Sequence, residues 1–545
     1  MSREVVHMRN AAIAGILYLF LAAGLAQAAP PTNDECLGCH DTVSAPKFAQ
    51  SVHGKLACTN CHSDITAAPH GMKPKAVDCS PCHEQVVTAW TGSVHFKGLK
   101  QGQRGPGCVD CHGSAHTIVL GSDPLSPISK FNVSNTCGKC HPVTAIQYRN
   151  GLHGTALAKG NWMAPVCGDC HGIHAISRTS DTERGPRASC AHCHESVRLT
   201  QEFAIPVERV GSYATSYHGM ARQMGSKTAA DCASCHGAHE ILPSSDPQSP
   251  TNKKNLPVTC GKCHKGAQED FAKGNVHVTG GFHGDVPTKV ITWIKWIYIA
   301  AILGAAWFML SHNFLVWLYK VRQRRKNSKR TVVRMNKNQR IQHCIMFTTF
   351  FILVLSGFAL IWPNSWIGMA FVTEGVRRWV HRIAAIGMMA LGLYHLGYMV
   401  GTKEGRKGLI DFFPRFSDIT DVVRVYFFYL GWSDKKPELR RFGYAEKLEY
   451  WAGMWGTIVM AVTGLVIWFS VTVTTWIPRW WVDVATVIHL FEAVLATMSI
   501  LIWHLYHVIF DPDVYPMNFA WIDGRMSEDL YHHEHALDTN PPKEE

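Results

Sequence analysis

The chain has 545 residues, enough for two or more domains, and carries a net charge of +12. Its mean hydropathy of −0.03 describes neither half, because residues up to about 288 are polar and rich in cysteine and histidine, whereas the rest forms apolar runs separated by basic loops. Since the basic residues lie between apolar segments, the positive charge needs no nucleic-acid partner.

The N-terminal segment has the pattern of a secretory signal. Two arginines precede an apolar stretch over 11–25, and Ala26 and Ala28 supply the small-x-small cleavage pattern. An uncleaved membrane anchor is the alternative, but the apolar core is short and Pro30 follows it closely. We therefore predict a signal peptide over 1–28 and export of the residues after it.

Nine copies of Cys-x-x-Cys-His follow in the cysteine-rich half. This spacing is the attachment signature of c-type haem, in which two thiols form thioethers with the porphyrin and the adjacent histidine binds the iron. Zinc sites and disulfides also use closely spaced cysteines, but neither requires a histidine after every pair. We therefore predict nine covalent haems c, held by Cys36, Cys39 and His40; Cys58, Cys61 and His62; Cys79, Cys82 and His83; Cys108, Cys111 and His112; Cys137, Cys140 and His141; Cys167, Cys170 and His171; Cys190, Cys193 and His194; Cys232, Cys235 and His236; and Cys260, Cys263 and His264.

The exported domain, predicted over 29–288, is short for so many cofactors. It offers roughly 29 residues for each haem, too few to build an ordinary core around every one. The haems must then supply much of the core themselves. We expect short helices after the attachment sites, long coil connections and little sheet.

Histidines outside the motifs are candidates for distal iron ligands. His192 is not predicted to be a ligand, because it lies inside its own attachment motif, where it is badly placed to reach another iron. The order upstream histidine, motif, downstream histidine, motif recurs four times, which indicates a linear array of haem-pair modules. The predicted distal ligands are His53, His70, His95, His116, His153, His174, His218, His239, His277 and His283. For any single one, a surface or propionate-bonded histidine is the alternative.

The position of His174 indicates which iron it can bind. It follows His171 by three residues, which places both on one side of a short helix or turn, so it cannot reach the opposite face of the same porphyrin. We expect it to bind a neighbouring haem. Enough histidines to close every iron favour electron transport, because a reductase of a small nitrogen or sulfur oxyanion needs an open iron.

Five segments after residue 288 are long and apolar enough to cross a hydrocarbon core of roughly 30 Å. They cover 291–319, 341–362, 378–400, 449–476 and 482–510. The fold class is therefore expected to be mostly α, with a coil-rich multihaem domain joined to an all-α bundle of five transmembrane helices over 289–512.

The distribution of charge predicts the orientation of this bundle. The loops 320–340 and 401–447 carry ten basic residues each, whereas the opposite connections hold Arg479 alone. By the positive-inside rule both basic loops and the tail, 513–545, lie in the cytoplasm and the haem c domain lies in the periplasm of a bacterial inner membrane. Segment 409–431 is expected along the cytoplasmic interface.

Histidines within the apolar segments are candidate ligands, because ionisable groups in a membrane are costly and usually functional. His381 and His395 are about 21 Å apart along one helix, and His489 is followed 15 and 18 residues later by His504 and His507. Such spacing can hold two stacked haems between facing helices. Elsewhere in the bundle, His312 is as readily a packing residue as a ligand, and Cys344 is interpreted as a small buried residue.

The membrane half resembles the dihaem cytochrome b subunits of formate dehydrogenase and nickel–iron hydrogenase over roughly 335–512. The resemblance is carried by Arg340-Ile-Gln-His343, Ser356-Gly357, Arg378-x-x-His381, and His489 with His504. It implies one haem b between His381 and His489 on the outer side, and a second between His343 and His504 on the inner side. The chain departs from the family in its extra candidates His395 and His507, and in the 15-residue gap before His504, where the family usually has 14.

The nine motifs fused to such a unit resemble the CbcL-type inner-membrane quinol oxidoreductases of metal-reducing bacteria. The resemblance implies menaquinol as donor, two haems b, and periplasmic c-type cytochromes as partners. Candidates for the quinone site are His395, His507 and Glu492. A quinol-fed multihaem reductase, and a membrane-anchored charge store without quinol activity, are the alternatives.

Overall fold

A computed structural model describes residues 30–323 and 330–539, except 72, 101, 103, 104, 179–184, 204, 207, 274–276 and 278–285. The predicted signal peptide and the predicted ligand His283 lie outside the described residues. Two compact units divide the chain, the first reaching Cys190 and including Gly237–Pro243, the second containing the remainder.

The first unit consists of short helices joined by coil. They are α1 Asn33–Cys39, α2 Ala45–Gln50, α3 Cys58–Cys61, α4 Ser80–Thr91, α5 Val94–Lys100, α6 Cys108–His112, α7 Val133–Gly138, α8 Pro142–Asn150, α9 Leu152–Ala158 and α10 Cys167–His171, with α11 Gly185–His194 at the division between the units. The helices are as short as the sequence predicts, but several of them contain an attachment motif where the sequence predicts helices after the motifs.

Three backbone hydrogen bonds repeat along this unit in one relation to the histidines. The residue before an upstream histidine donates its N–H to the carbonyl of the isoleucine two residues after a downstream histidine. The bonds run from Val52 to Ile118 at 2.8 Å, from Val94 to Ile176 at 2.9 Å and from Leu152 to Ile241 at 2.8 Å. A repeated tertiary contact of this kind is expected of an array of similar modules.

Glycine follows an upstream histidine where the next helix closely approaches the preceding backbone. A Cβ at Gly219 would lie 2.1 Å from the carbonyl oxygen of Tyr213, and a Cβ at Gly154 would lie 2.2 Å from that of Tyr148. Neither carbonyl can withdraw without moving its helix, so these positions exclude a side chain.

We expect Gly219→Ala to destabilise the protein by roughly 1–3 kcal/mol, because the new methyl group overpacks a backbone contact. Gly211→Ala is the matched control, since a Cβ there meets nothing within 4 Å. It should be neutral or stabilising by roughly 0.5–1 kcal/mol through the helix preference for alanine. Thermal unfolding followed by circular dichroism in detergent measures both; equal midpoints for the two variants would contradict the close-approach explanation.

The second unit begins with further short helices and continues into long ones. The short helices are α12 Val197–Glu202, α13 Glu208–Ala214, α14 Tyr217–Gln223, α15 Cys232–His236, α16 Leu256–Gly261 and α17 Glu269–Ala272. The rest of the unit comprises α18 Val286–Gln323, β1 Arg330–Val333, α19 Lys337–Ile361, α20 Trp366–Ala370, α21 Glu374–Gly401, α22 Lys403–Phe412, α23 Phe416–Tyr429, α24 Tyr444–Trp468, α25 Ser470–Val473, α26 Trp480–Met498, two π-helical segments, Ser499–His504 and Tyr506–Phe510, α27 Ala520–Asp523, β2 Arg525–Ser527 and α28 Glu528–Glu534.

Five helices of this unit are long and apolar enough to cross a membrane, as the sequence predicts. They span Val286–Arg322, Lys337–Ile361, Glu374–Gly401, Tyr444–Trp468 and Trp480–Phe510. Helix α19 packs on α21, α24 packs on α26, and α18 also packs on α26. Cys344, interpreted above as buried, is instead exposed on α19, next to the exposed Ile341 and Ile345.

The C-terminal segment packs against the loop that follows α18. Strand β1 pairs antiparallel with β2, and a small core joins Val332 to Met526, Leu530 and Tyr531. The buried Lys320 ammonium contacts three carboxylates, those of Asp511 at 2.7 Å, Asp513 at 2.9 Å and Glu534 at 3.0 Å. These contacts fix the end of the last membrane helix to the end of the first.

Candidate haem sites

Predicted distal histidines lie opposite attachment histidines in eight pairs among the described residues. Their ring centroids are 5.9–6.4 Å apart. The pairs are His40–His70, His62–His116, His83–His53, His112–His174, His141–His95, His171–His239, His236–His277 and His264–His218.

These separations fit imidazoles bound to opposite faces of one iron. A metal–nitrogen bond is about 2 Å long and an imidazole centroid lies roughly 1 Å beyond its nitrogen, which gives roughly 6 Å between the two centroids. Within the described part of the chain the motif cysteines form no disulfides, which is consistent with the thioether bonds that the motifs predict. The residues therefore suit covalently attached haem with two histidine ligands.

His174 lies beside His112 and away from the histidine of its own motif. The His112 and His174 rings are 6.0 Å apart and inclined by 10°, while His171 pairs with His239 at 6.2 Å. Gly172, between His171 and His174, has a φ of +83°, a conformation that favours glycine and turns the chain away from its own attachment site. The same turn recurs after two other motifs, at Gly113 and Gly237.

Burial favours the neutral form of several of these rings, which is the form in which histidine binds a metal. Burial lowers the pKa of His112, and the adjacent His174 lowers it further. Burial likewise lowers the pKa of His239, with a smaller contribution from His171.

Three further described histidines of this region belong to none of the eight pairs. His153 lies on α9 and His194 ends α11, and their assignments as ligands remain predictions. His192 is exposed to solvent, in keeping with its exclusion from the predicted ligands.

In the membrane bundle, His381 on α21 lies opposite His489 on α26. Their ring centroids are 6.4 Å apart. Nδ1 of His381 is 2.8 Å from the Ser356 hydroxyl, and Nδ1 of His489 is 2.9 Å from the Thr463 hydroxyl. Each hydroxyl donates to a carbonyl of its own helix and can therefore accept from Nδ1–H. This arrangement leaves Nε2 of both rings free to bind iron.

A glycine follows each hydroxyl residue and lets its helix approach the ring. A Cβ at Gly357 would lie 3.8 Å from Cε1 of His381, and a Cβ at Gly464 would lie 3.3 Å from Cε1 of His489. The site is thus built from a hydroxyl–glycine dipeptide on each of two helices. The sequence resemblance identifies only Ser356-Gly357; the matching Thr463-Gly464 could have been found by searching the other apolar segments for the same dipeptide.

A second membrane pair joins His343 on α19 to His504, with centroids 6.2 Å apart. His504 lies in a π-helical continuation of α26, Ser499–His504. A π-helical turn takes about one residue more than an α-helical turn. It therefore absorbs the extra residue in the 15-residue gap and keeps His504 on the same face as His489. Nδ1 of His504 is 3.2 Å from Glu449 Oε2.

His395 and His507, the other candidates for the inner pair, have different surroundings. Nδ1 of His395 is 2.7 Å from Gln342 Oε1, and its Nε2 is 3.1 Å from the Tyr450 hydroxyl. His507 is enclosed by aromatic rings, with its centroid 5.2 Å from that of Trp503. The geometry therefore favours His343 with His504 as the inner pair.

Two further polar residues of the bundle are held by tyrosines. Nε2 of His312 is 2.5 Å from the Tyr444 hydroxyl, which supports a packing role for this histidine. Glu492, 8% exposed, accepts a hydrogen bond of 3.0 Å from the Tyr298 hydroxyl.

Comparison with known families agrees with both parts of this geometry. Residues 334–515 match the family model of prokaryotic cytochrome b561, and residues 66–142 match that of cytochrome c7 and related cytochrome c. No curated protein gives a significant match. The chain is therefore a membrane electron-transfer protein. More specifically, it is a multihaem c-type cytochrome fused to a cytochrome b, with haem b and haem c as its cofactors.

Proposed function

We propose that the protein oxidises menaquinol in a bacterial inner membrane and transfers the electrons to periplasmic c-type cytochromes, in anaerobic or metal-reducing respiration. The observation that carries the proposal is the presence of two histidine pairs at different depths of the bundle. His489 and His504 are 15 residues apart on one helix, which corresponds to about 22 Å of rise. Haem, where bound, takes up and releases single electrons, and two such sites cover most of the membrane thickness.

Nine haems c and two haems b remain part of this proposal. So does the orientation, with the c-type region in the periplasm and both basic loops in the cytoplasm, which the ten basic residues of each loop support. The paired histidines favour electron transport over the alternative of a small-oxyanion reductase, because each pair would close both axial positions of an iron.

His395 is the favoured proton acceptor for the quinol. Donation from Nδ1–H to Gln342 would leave the lone pair at Nε2, where Tyr450 now lies 3.1 Å away. A quinol hydroxyl could take the place of Tyr450 and pass its proton to that nitrogen. Leu393 and Leu396, which flank His395, are exposed on the lipid-facing surface of α21, so a quinol could reach the site from the bilayer. Glu492 is buried, and the ring of His507 packs against those of Trp503 and Tyr506.

We expect His395→Gln to lower quinol oxidation by roughly 100-fold or more, because the proton acceptor is lost. The content of haem b should not change, because this variant leaves both proposed ligand pairs intact. Pyridine haemochrome spectra measure the haem content, and the initial rate with a menaquinol analogue measures the oxidation. His507→Asn and Glu492→Gln, which alter the enclosed candidates, should retain most of the rate; a larger loss in either would move the quinone site there.

The function itself is tested by reconstituting the protein into lipid vesicles that contain a menaquinol analogue. An impermeant oxidant outside, such as ferricyanide or a soluble c-type cytochrome, should be reduced only when both quinol and protein are present. The charge-store alternative predicts no quinol-dependent turnover once the haems are filled, and that outcome would contradict the proposal.

A further inference from the structure

Helix α14 places a predicted ligand of a c-type haem next to the membrane bundle, within the second compact unit. His218, which pairs with the ninth attachment histidine His264, is the second residue of this helix. Its neighbour Tyr217 donates its hydroxyl proton to Oε1 of Glu374, the first residue of α21. The proposed haem site at Cys260–His264 is therefore connected to the membrane helix that carries His381.

The connection continues inward through buried hydrogen bonds. Glu374 accepts from Nε of Arg377 at 2.7 Å, and Nη1 of Arg377 donates to the Ser356 carbonyl at 2.9 Å. The hydroxyl of Ser356 is in turn the partner of His381 Nδ1. Three residues, Glu374, Arg377 and Ser356, thus link Tyr217 to His381.

A second set of contacts connects His264, the partner of His218, to the helix that carries His489, the partner of His381. The ring of His264 is 4.9 Å from that of Phe271, and the guanidinium of Arg479 lies 5.6 Å from the same phenyl ring. Arg479 Nη1 also donates to Asp483 Oδ1 at 2.8 Å, on α26, the helix of His489. Both histidines of the ninth c-type site therefore connect to the helices of the outer b-type site.

The ion pair between Glu374 and Arg377 is buried more deeply than a purely structural contact would need. The Glu374 and Arg377 side chains are 3% and 6% exposed. Desolvating such a pair costs as much as its attraction returns, and apolar residues of similar volume often pack at least as stably. A role that depends on the charges themselves is therefore the better explanation.

We propose that electrons pass between the membrane part and the c-type part at the ninth attachment site, and that Tyr217, Glu374 and Arg377 position His381 against it. The proposal rests on the proposed function for the source of electrons, since each quinol supplies two electrons and two protons. Each transfer moves one electron from a reduced b-type centre to an oxidised c-type centre. No bond is made or broken and no proton crosses the junction.

Stopped-flow absorbance tests the junction in the purified full-length protein. In Tyr217→Phe and Glu374→Gln, reduction of the c-type bands by a menaquinol analogue should lag behind that of the b-type bands in the same sample, and should be at least ten times slower than in the wild type. Tyr213→Phe is the matched control, because it removes a part-buried hydroxyl that donates to the Ala230 carbonyl within the c-type region. Wild-type c-type rates in both test variants would overturn the proposal.

A redox titration supplies a readout independent of turnover. Glu374→Gln removes a negative charge near His381, so the midpoint potential of one b-type component should rise while the other stays fixed. Tyr213→Phe should move neither. Unchanged b-type midpoints in Glu374→Gln would contradict the positioning role.

Failure of the junction can be separated from failure of the proposed function. If quinol does not reduce the b-type bands in the wild type, vesicle-bound protein reduced with dithionite can be mixed with ferricyanide. Slower oxidation of the b-type bands in Tyr217→Phe would then still support the junction, whereas wild-type oxidation would overturn it.

Discussion

His381→Ala is expected to remove one of the two proposed haems b and to slow quinol-driven reduction of the c-type haems by at least roughly 100-fold. Loss of a partner that only supports a metal ligand costs about 10–100-fold, so loss of the ligand itself should cost more. The reason lies in the geometry: the only ring that faces His489 at the distance of a shared iron, among the described residues, is that of His381, at 6.4 Å. Pyridine haemochrome content and stopped-flow absorbance measure the two effects.

Two further variants make the result specific. Ser356→Ala, which removes only the hydroxyl beside His381 Nδ1, should give an intermediate loss of haem affinity. His395→Gln should retain both haems b, because both nitrogens of His395 already have side-chain partners. Retention of two haems b in His381→Ala would contradict the assignment of the outer pair.

His174→Ala should convert one c-type iron from low-spin to high-spin and leave the other c-type sites unchanged. The iron affected should be the one held by His112, whose ring lies 6.0 Å from that of His174. Electron paramagnetic resonance and the high-spin absorbance band measure the change. His192→Ala is the matched control, because this exposed histidine belongs to no proposed pair.

A double variant tests whether His174 and His239 bind two different irons. His239 pairs with His171, so His174→Ala and His239→Ala should open two different sites and their high-spin signals should add. A double variant with no more signal than either single variant would mean that both histidines serve one iron, against the proposed pairing.

The fold could be predicted from sequence where the signal is local. Hydropathy alone identified five membrane helices, and the low ratio of residues to attachment motifs predicted short helices with little sheet. Each Cys-x-x-Cys-His motif likewise carries its own chemistry, whatever surrounds it. The assignment of Cys344 to the interior failed because a small apolar residue is equally at home facing lipid.

The pairing of histidines depends on chain reversals that residue types alone do not determine. Gly172 turns the chain so that His174 meets a motif some sixty residues upstream instead of the adjacent one. The 15-residue gap before His504 leaves the inner pair ambiguous in the sequence, because residue types alone do not indicate the π-helical turn that contains His504. Tyr217 and Glu374 are 157 residues apart and individually ordinary, so no sequence pattern could have brought them together.

In the proposed function, electrons enter from quinol through the b-type part and leave through the c-type part. Anaerobic stopped-flow mixing of the purified, oxidised protein with a menaquinol analogue, with b-type and c-type absorbance resolved, tests it most directly. The b-type bands should be reduced first and the c-type bands should follow at a rate that His381→Ala abolishes. Reduction of the c-type bands before the b-type bands, or at an unchanged rate in His381→Ala, would contradict the proposed function.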